Sequence, residues 1–181
     1  MSKNQLRIIG GEWKRRQLAF ATIEGLRPTP DRLRETLFNW LMWDIPNARV
    51  LDVCAGSGAL AFEALSRGAS FATLIEPQVE QVRFLKQNMQ LLQVKHAEVI
   101  AKTAQQALKQ LSSPYDVIFL DPPYALNLWA ELATQLEALI HEKTLIYVEA
   151  DRELNQLGLP STWQKVKETK VGVIRAGLYQ R

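Results

Sequence analysis

The sequence has few residues that can hold a metal ion or form a disulfide. It contains one cysteine, Cys54, and two histidines, His96 and His141, among 181 residues. A single cysteine excludes an internal disulfide, and this small set of soft ligands argues against a structural zinc site. Proteins without cysteine pairs are typical of reducing compartments, so we expect a cytoplasmic protein with no bound metal.

Long apolar runs are also absent. No stretch reaches the length that crosses a bilayer, and the first five residues lack the apolar core of a signal peptide. We therefore expect no membrane partner. The length, the 47% of hydrophobic residues and the 23% of charged residues predict one globular domain, with room for a small appendage.

Acidic residues are scarce at the beginning of the chain. Residues 1–34 hold eight Lys and Arg against three Asp and Glu, whereas the rest holds 14 basic and 16 acidic residues. A basic segment on a mildly acidic body favours a contact with a polyanion at one end of the molecule. A solvated basic arm without a partner is the alternative.

Strand and helix patterns alternate from residue 49 onward, which predicts an α/β fold with a mostly parallel sheet and helices on both faces. A short hairpin and a helix capped by Thr29 or Asp31 are expected before it, so residues 1–45 form an N-terminal basic extension and 46–181 the main domain. We expect strands at 50–53, 71–75, 98–101, 115–120, 144–148, 163–169 and 171–179, and helices at 58–67, 78–92, 104–111 and 129–140.

The sequence Asp121-Pro122-Pro123-Tyr124 closes an apolar run at 115–120 that is typical of a buried strand. Open α/β sheets bind ligands at the carboxyl ends of their strands. Two prolines end the strand pairing and leave carbonyl groups free to accept hydrogen bonds from a ligand. Acceptors beside an aromatic ring suit a planar substrate with an amino group. The alternative is a strand-ending turn with a solvated Asp.

A glycine-rich loop, from Asp52 to Leu60, joins the first strand of the alternating part to its helix. Its Gly56-x-Gly58-x-x-Ala61 spacing fits the loose dinucleotide fingerprint, and Glu76 ends the next strand about 20 residues on, where a carboxylate can accept both ribose hydroxyls. These features indicate an adenosine-type cofactor. A glycine turn beside a surface Glu is the alternative.

Together these motifs resemble the class I S-adenosylmethionine-dependent methyltransferases that act on exocyclic amines. Further segments make the chain similar to the RsmD family, which methylates N2 of a guanine in bacterial 16S rRNA: Arg7-Ile8-Ile9-Gly10-Gly11, Leu26-Arg27-Pro28-Thr29, the residues from Asp31 to Leu41, and Leu178-Tyr179-Gln180-Arg181. The resemblance covers nearly the whole chain. It implies a Rossmann-like, seven-stranded sheet whose last strand is antiparallel.

The resemblance also implies roles for individual residues. The cofactor S-adenosylmethionine would be bound by Asp52, Ala55, Gly56, Ser57, Gly58, Ala59, Glu76, Pro77 and Thr103. Many methyltransferases have an Asp where this chain has Lys102-Thr103. Asp121 and the Pro122 carbonyl would accept the two N2 hydrogens, and Tyr124 would stack on the base, so the catalytic set is Asp121, Pro122, Pro123 and Tyr124.

The expected partner is 16S rRNA, in the small subunit or an assembly intermediate, bound by a monomer. The residues expected to contact it are Arg7, Lys14, Arg15, Arg16, Arg27, Thr29, Arg32 and Arg34. Pairing of Arg34 with the body of the protein is the alternative for that residue. Three other functions stay open from the sequence: an adenine-N6 methyltransferase, a nicotinamide-dependent oxidoreductase, and a non-catalytic RNA-binding module.

Overall fold

A computed structural model describes residues 3–181. Its main sheet has seven strands in the order β5-β4-β3-β6-β7-β9-β8, with β9 antiparallel to both of its neighbours and the pairs from β5 to β7 parallel. The strands are β3 (Arg49–Asp52), β4 (Phe71–Ile75), β5 (Ala97–Ile100), β6 (Tyr115–Leu120), β7 (Ile140–Ala150), β8 (Gln164–Val171) and β9 (Ile174–Gln180). The predicted architecture, including the antiparallel last strand, is confirmed.

Within residues 3–181, five α-helices surround the sheet: α1 (Asp31–Trp40), α2 (Ala59–Ser66), α3 (Val79–Leu91), α4 (Ala104–Leu108) and α5 (Trp129–Leu136). Residues of α1, α2 and α3 share one buried hydrophobic cluster, and those of α4 and α5 share the other, so each face of the sheet has its own core. The predicted helix at 129–140 is shorter, because a 3₁₀ turn follows Leu136 and Ile140 already pairs with β6.

The N-terminal segment is packed onto the body rather than projecting from it. Its antiparallel strands are β1 (Lys3–Arg7) and β2 (Gln17–Ala21), and Ile8, Leu18 and Phe20 are buried in the core that contains α2 and α3. The turn between the strands contacts the end of α2, where the Glu12 N–H donates to the Ser66 carbonyl at 2.8 Å and the Trp13 N–H donates to the Ser66 hydroxyl at 2.9 Å. A side chain at Gly11, whose φ is +80°, would place its Cβ 2.0 Å from the Ser66 carbonyl oxygen.

Helix α1 begins differently from the prediction. Pro30 occupies the N-cap position, and no side chain caps the helix. The Thr29 hydroxyl donates instead to Glu149, 2.9 Å away, and the Asp31 carboxylate accepts from Arg7 and Arg34. Both predicted caps are therefore wrong, because each side chain is engaged in tertiary contacts.

Candidate active site

The carboxyl ends of β3, β4, β6 and β7 meet at one edge of the sheet, because these strands are parallel neighbours. Two backbone hydrogen bonds fix the beginning of the glycine loop there. The Val53 N–H donates to the Phe119 carbonyl at 3.1 Å, and the Ala55 N–H donates to the Ile75 carbonyl at 2.8 Å. The loop is thereby held between the ends of β6 and β4.

The glycines of this loop have conformations that side chains disfavour. Gly56 and Gly58 have φ values of +54° and +80°, and a Cβ at Gly58 would lie 2.6 Å from the Phe62 ring. The side chains of Ala55, Ser57 and Ala59 are buried. A cofactor at this edge would therefore contact mainly the backbone of the loop.

Glu76 is the carboxylate that the fingerprint predicts at the end of β4, and the structure holds it rigidly. One of its oxygens accepts from the Gly56 N–H at 3.0 Å and the other from the Gln78 N–H at 2.9 Å. Burial raises the pKa of this carboxyl above its ordinary value. The two N–H donors act in the opposite direction but do not cancel the effect of burial. Each oxygen keeps a lone pair for a further donor, which suits the two hydroxyls of a ribose.

Asp52 is buried at the end of β3, and its Oδ2 atom has no hydrogen-bond partner among the described residues. Burial, with the charges of Glu76 and Glu149, raises its pKa to about 7 against the opposing effect of the Ala61 N–H. A buried carboxyl with a free oxygen is suited to an amine donor. Asp52, Glu76 and the glycine loop therefore fit S-adenosylmethionine, which has an amino group and a ribose.

Thr103 is expected to bind the cofactor, but its polar atoms are already engaged. It is the N-cap of α4, and it forms a capping box in which its hydroxyl accepts from the Gln106 N–H and its own N–H donates to the Gln106 side chain. Pro77, beside Glu76, is exposed. Contacts of Pro77 and Thr103 with the cofactor stay predictions.

Asp121 and Tyr124 lie on the other side of the glycine loop, after β6. Burial, and then the neighbouring Glu149 carboxylate, raise the pKa of Asp121 well above its usual range. The Tyr124 hydroxyl donates to Glu149 Oε2 at 2.6 Å, and its ring stacks on Trp129 with a centroid distance of 6.1 Å. Pro122 is buried between them, whereas Pro123 is exposed.

Glu149, at the end of β7, is a site residue that the sequence analysis missed. It is 2% exposed and accepts hydrogen bonds from three hydroxyls: Thr29 at 2.9 Å, Tyr124 at 2.6 Å and Tyr147 at 2.8 Å. A signal was present, since Glu149 interrupts an apolar strand at the carboxyl edge that binds ligands. Glu149 belongs to no recognised motif, so the sequence alone does not assign it to the site.

Two predicted RNA contacts require correction. Arg34 is 1% exposed, and its guanidinium donates to the Arg7 and Thr29 carbonyls and pairs with Asp31 and Glu63, so it cannot reach a phosphate. Thr29 is also buried, and its hydroxyl belongs to the Glu149 cluster.

The other predicted RNA-binding side chains are all exposed: Arg7, Lys14, Arg15, Arg16, Arg27 and Arg32. Arg7 pairs with Asp31 at 3.3 Å, and Arg16 donates to the Leu91 carbonyl. Within residues 3–181 the rest of this set forms no ion pair. Arg27 and Arg32 flank Thr29 and therefore the catalytic edge. The β1–β2 turn with Lys14 and Arg15 lies beside the carboxyl end of α2, at the opposite edge.

Comparisons with known proteins agree with this geometry. The family model described as "Conserved hypothetical protein 95" matches residues 6–180. Ribosomal RNA small subunit methyltransferase D of Escherichia coli K12 is 42% identical over 179 residues, which cover 98% of this chain and 90% of that protein. The protein of the same name from Haemophilus influenzae is 43% identical over 186 residues, covering 99% and 95%.

A solved structure extends the similarity to three dimensions. The Escherichia coli candidate methyltransferase yhhF is 42% identical, with a TM-score of 0.90 and 98% of each chain covered. This chain belongs to the ribosomal RNA small subunit methyltransferase D family. Family membership confirms the predicted enzyme class, a methyltransferase with S-adenosylmethionine as its cofactor. The oxidoreductase and the non-catalytic module, left open from the sequence, are therefore wrong.

No helix in residues 3–181 is long and apolar enough to cross a membrane. Over the same part of the chain, no group of three or more His, Cys, Asp and Glu residues is arranged to hold a metal ion.

Proposed function

We propose that this chain transfers the methyl group of S-adenosylmethionine to the exocyclic N2 amine of a guanine in 16S rRNA. The substrate would be the small ribosomal subunit or an assembly intermediate, and the enzyme would bind it as a monomer in the cytoplasm. The observation that carries the proposal is the place of Asp121 and Tyr124, at the same sheet edge as the glycine loop and Glu76. The proposed amine acceptor site would thus adjoin the proposed cofactor site.

On the cofactor side, Glu76 would accept the ribose hydroxyls, Asp52 would accept from the amino group, and the backbone of residues 55–59 would surround the methionine part. The sulfonium supplies an activated methyl carbon and a good leaving group when the cofactor is bound. The protein therefore needs to supply mainly position and orientation.

On the substrate side, the difficulty is that the lone pair of a guanine N2 is delocalised into the ring. The Asp121 carboxylate and the Pro122 carbonyl would accept the two N2 hydrogens and direct the lone pair out of the base plane. Tyr124 would hold the base by stacking. Because N2 of a paired guanine lies in the minor groove, the base must be unpaired or flipped out to reach these groups.

The decisive experiment is transfer of tritiated methyl groups onto small subunits that lack the modification, followed by mapping of the labelled base. We expect one labelled guanine carrying the methyl on N2. Naked 16S rRNA and duplex DNA are tested as alternative substrates. Naked RNA shows whether the enzyme needs the assembled particle, and duplex DNA tests for an adenine-N6 target. Labelling of adenine, or labelling of DNA alone, would contradict the proposal.

The exposed cations of the N-terminal segment allow a separate test of RNA binding. The proposed footprint runs along the whole segment, so it includes both Arg27 with Arg32 and Lys14 with Arg15. Replacing either pair by Gln should lower the slope of log affinity against log salt by about 1.4, since each phosphate contact to single-stranded RNA contributes about 0.7. The measurement is a titration of RNA binding at several salt concentrations.

A matched control removes two exposed lysines outside the N-terminal segment, Lys109 and Lys143, at the end of α4 and near the start of β7. We expect this variant to keep the slope of the unmodified protein. An unchanged slope in both N-terminal variants would contradict a role of this segment in RNA binding.

A further inference from the structure

Glu149 is a buried carboxyl group without a cationic partner. No Lys, Arg or His in the part of the chain that the structure describes forms an ion pair with it. Its hydrogen-bond partners are the neutral hydroxyls of Thr29, Tyr124 and Tyr147. Burying a carboxyl among neutral groups is costly, and groups in such surroundings cluster at functional sites.

The three hydroxyls come from separate parts of the chain. Thr29 precedes α1, 120 residues away from Glu149; Tyr124 follows β6; and Tyr147 lies on β7 itself. Glu149 therefore ties the beginning of α1 and the turn after β6 to a single point. Such a contact fixes a site more firmly than packing alone, because each hydroxyl has a single proton to donate.

The Tyr124 ring is held from two directions. Its hydroxyl donates to Glu149, and one ring face lies on Trp129, whose indole N–H donates to the Glu149 carbonyl at 3.0 Å. A base that stacks on Tyr124 would use the opposite face of the ring. Losing the Glu149 contact would free the ring to rotate, while the stacking on Trp129 would remain.

Glu149 also influences Asp121. The Thr29 hydroxyl lies 2.9 Å from Glu149 Oε1 and 3.5 Å from Asp121 Oδ2, so it links the two carboxyl groups. Its single proton goes to the nearer Glu149. The charge of Glu149 raises the pKa of Asp121, which makes the Asp121 carboxylate a stronger proton acceptor.

We propose that Glu149 is a positioning residue for methyl transfer, which orients Tyr124 and strengthens Asp121 as the acceptor of the amine proton. This rests on the proposed function. In the transfer step the bond between N2 and the methyl carbon forms, the sulfur–carbon bond breaks, and an N2 proton passes to the Asp121 carboxylate. Glu149 touches neither substrate nor cofactor in this step.

The test uses Glu149→Gln, which removes the charge and replaces an acceptor oxygen by a donor. Single-turnover rates at saturating cofactor and RNA should fall roughly 100-fold, as expected for a misplaced reacting group, with little change in KM for RNA. The acid limb of the pH–rate profile should move about one unit lower, since a like charge near Asp121 is gone. The other groups that face this pair are Asp52 on β3, the Cys54 thiol in the glycine loop, the hydroxyls of Thr29, Tyr124 and Tyr147, and the Trp129 indole.

Two companion variants separate charge from position. Glu149→Asp keeps the charge but shortens the side chain, so its acid limb should stay in place while its rate falls. Glu142→Gln removes an equal charge from the exposed beginning of the same strand and should change neither quantity. An acid limb of Glu149→Gln that coincides with that of the unmodified protein would overturn the proposal.

A second measurement needs no substrate. Carboxyl-¹³C NMR, with the Asp121 signal assigned from Asp121→Asn, should show Asp121 titrating well above the ordinary range for an aspartate in the unmodified protein and at a lower pH in Glu149→Gln. An Asp121 signal that titrates at the same pH in both proteins would overturn the proposal, and so would titration in the ordinary range in the unmodified protein. If the unmodified protein and Glu142→Gln both fail to methylate any guanine N2, the proposed function fails, and this titration still decides the relation between Glu149 and Asp121.

Discussion

The two halves of the catalytic edge are built in different ways. In the cofactor half, residues 52–59 and Glu76, the main contact joins a carboxylate to a backbone N–H 20 residues away. The substrate half consists of Thr29, Asp121, Tyr124, Tyr147 and Glu149. Its hydroxyl–carboxyl contacts join residues far apart in the chain: Thr29 is 92 residues from Asp121 and 120 residues from Glu149. The first half is local and made of backbone, whereas the second is assembled from distant side chains.

This difference assigns a separate task to each half. Backbone donors that are held by a carboxylate form a fixed shape, which is suited to binding a constant cofactor. Linked hydroxyl and carboxyl groups share protons, which suits the control of a reacting amine. We therefore expect substitutions in the substrate half to change the rate of methyl transfer, and substitutions in the cofactor half to change affinity or stability.

The largest effect is expected for Asp121→Ala. Loss of the acceptor should lower single-turnover methyl transfer about 10³-fold or more, as for other positioned proton acceptors, because no neighbouring group takes over the N2 hydrogen. The cofactor Kd, from isothermal titration, should stay nearly unchanged. Asp44→Ala removes an exposed Asp from the loop after α1 and should be neutral in both assays. Near-normal transfer by Asp121→Ala would show that the substrate half does not control the rate of methyl transfer.

Asp52→Asn tests the cofactor half through the free energy of unfolding and its dependence on pH. The pKa of Asp52 rises from 3.8 to about 7 on folding, so the folded protein holds this proton more tightly than the unfolded chain. Stability is therefore lost as the pH rises from about 4 to 7 and stays lower above that range. Asn lacks this penalty. It should raise the free energy of unfolding of the cofactor-free protein by roughly 2–4 kcal/mol at pH 8, and little at pH 4.

Urea unfolding at both pH values measures this difference. The same variant should bind the cofactor more weakly, because it loses a partner for the amino group. A gain in stability of equal size at both pH values would show that the effect does not come from the charge of Asp52.

The sequence predicts the cofactor half well because its information is local. Asp52, Gly56, Gly58 and Glu76 lie within a strand–loop–helix–strand unit whose spacing follows from the geometry of that unit. Strand bounds at Phe71–Ile75 and Tyr115–Leu120 are likewise correct, since buried parallel strands are continuous apolar runs.

The substrate half is visible from the sequence only where a motif marks it. Asp121-Pro122-Pro123-Tyr124 stands out because two prolines interrupt a strand, but Thr29 and Glu149 become partners only through folding. Arg34 was misassigned for the same reason: a cation in a basic segment looks exposed until its buried partner, Glu63, is known. Nothing in the spacing of Thr29 and Glu149 predicts that they meet.

The smallest effect is expected for Glu76→Gln. The amide keeps one acceptor oxygen, so one of the two backbone contacts with Gly56 and Gln78 can persist, while the other meets an NH₂ group. Loss of a charged acceptor for a ribose hydroxyl costs about 1.5–3 kcal/mol, which corresponds to a cofactor Kd roughly 10 to 150 times higher. Because Glu76 lies away from the amine, the single-turnover rate at saturating cofactor should stay near normal.

The matched control for Glu76 is Glu80→Gln, which removes the same charge four residues on, at a partly exposed position that pairs with Arg83 across 3.7 Å. We expect it to leave the cofactor Kd unchanged, so that a difference between the two variants reports the ribose contact rather than the overall charge. A fall in the saturated rate of Glu76→Gln comparable to that of Asp121→Ala would show that the two halves act as one catalytic unit, because affinity and rate would then depend on the same residues.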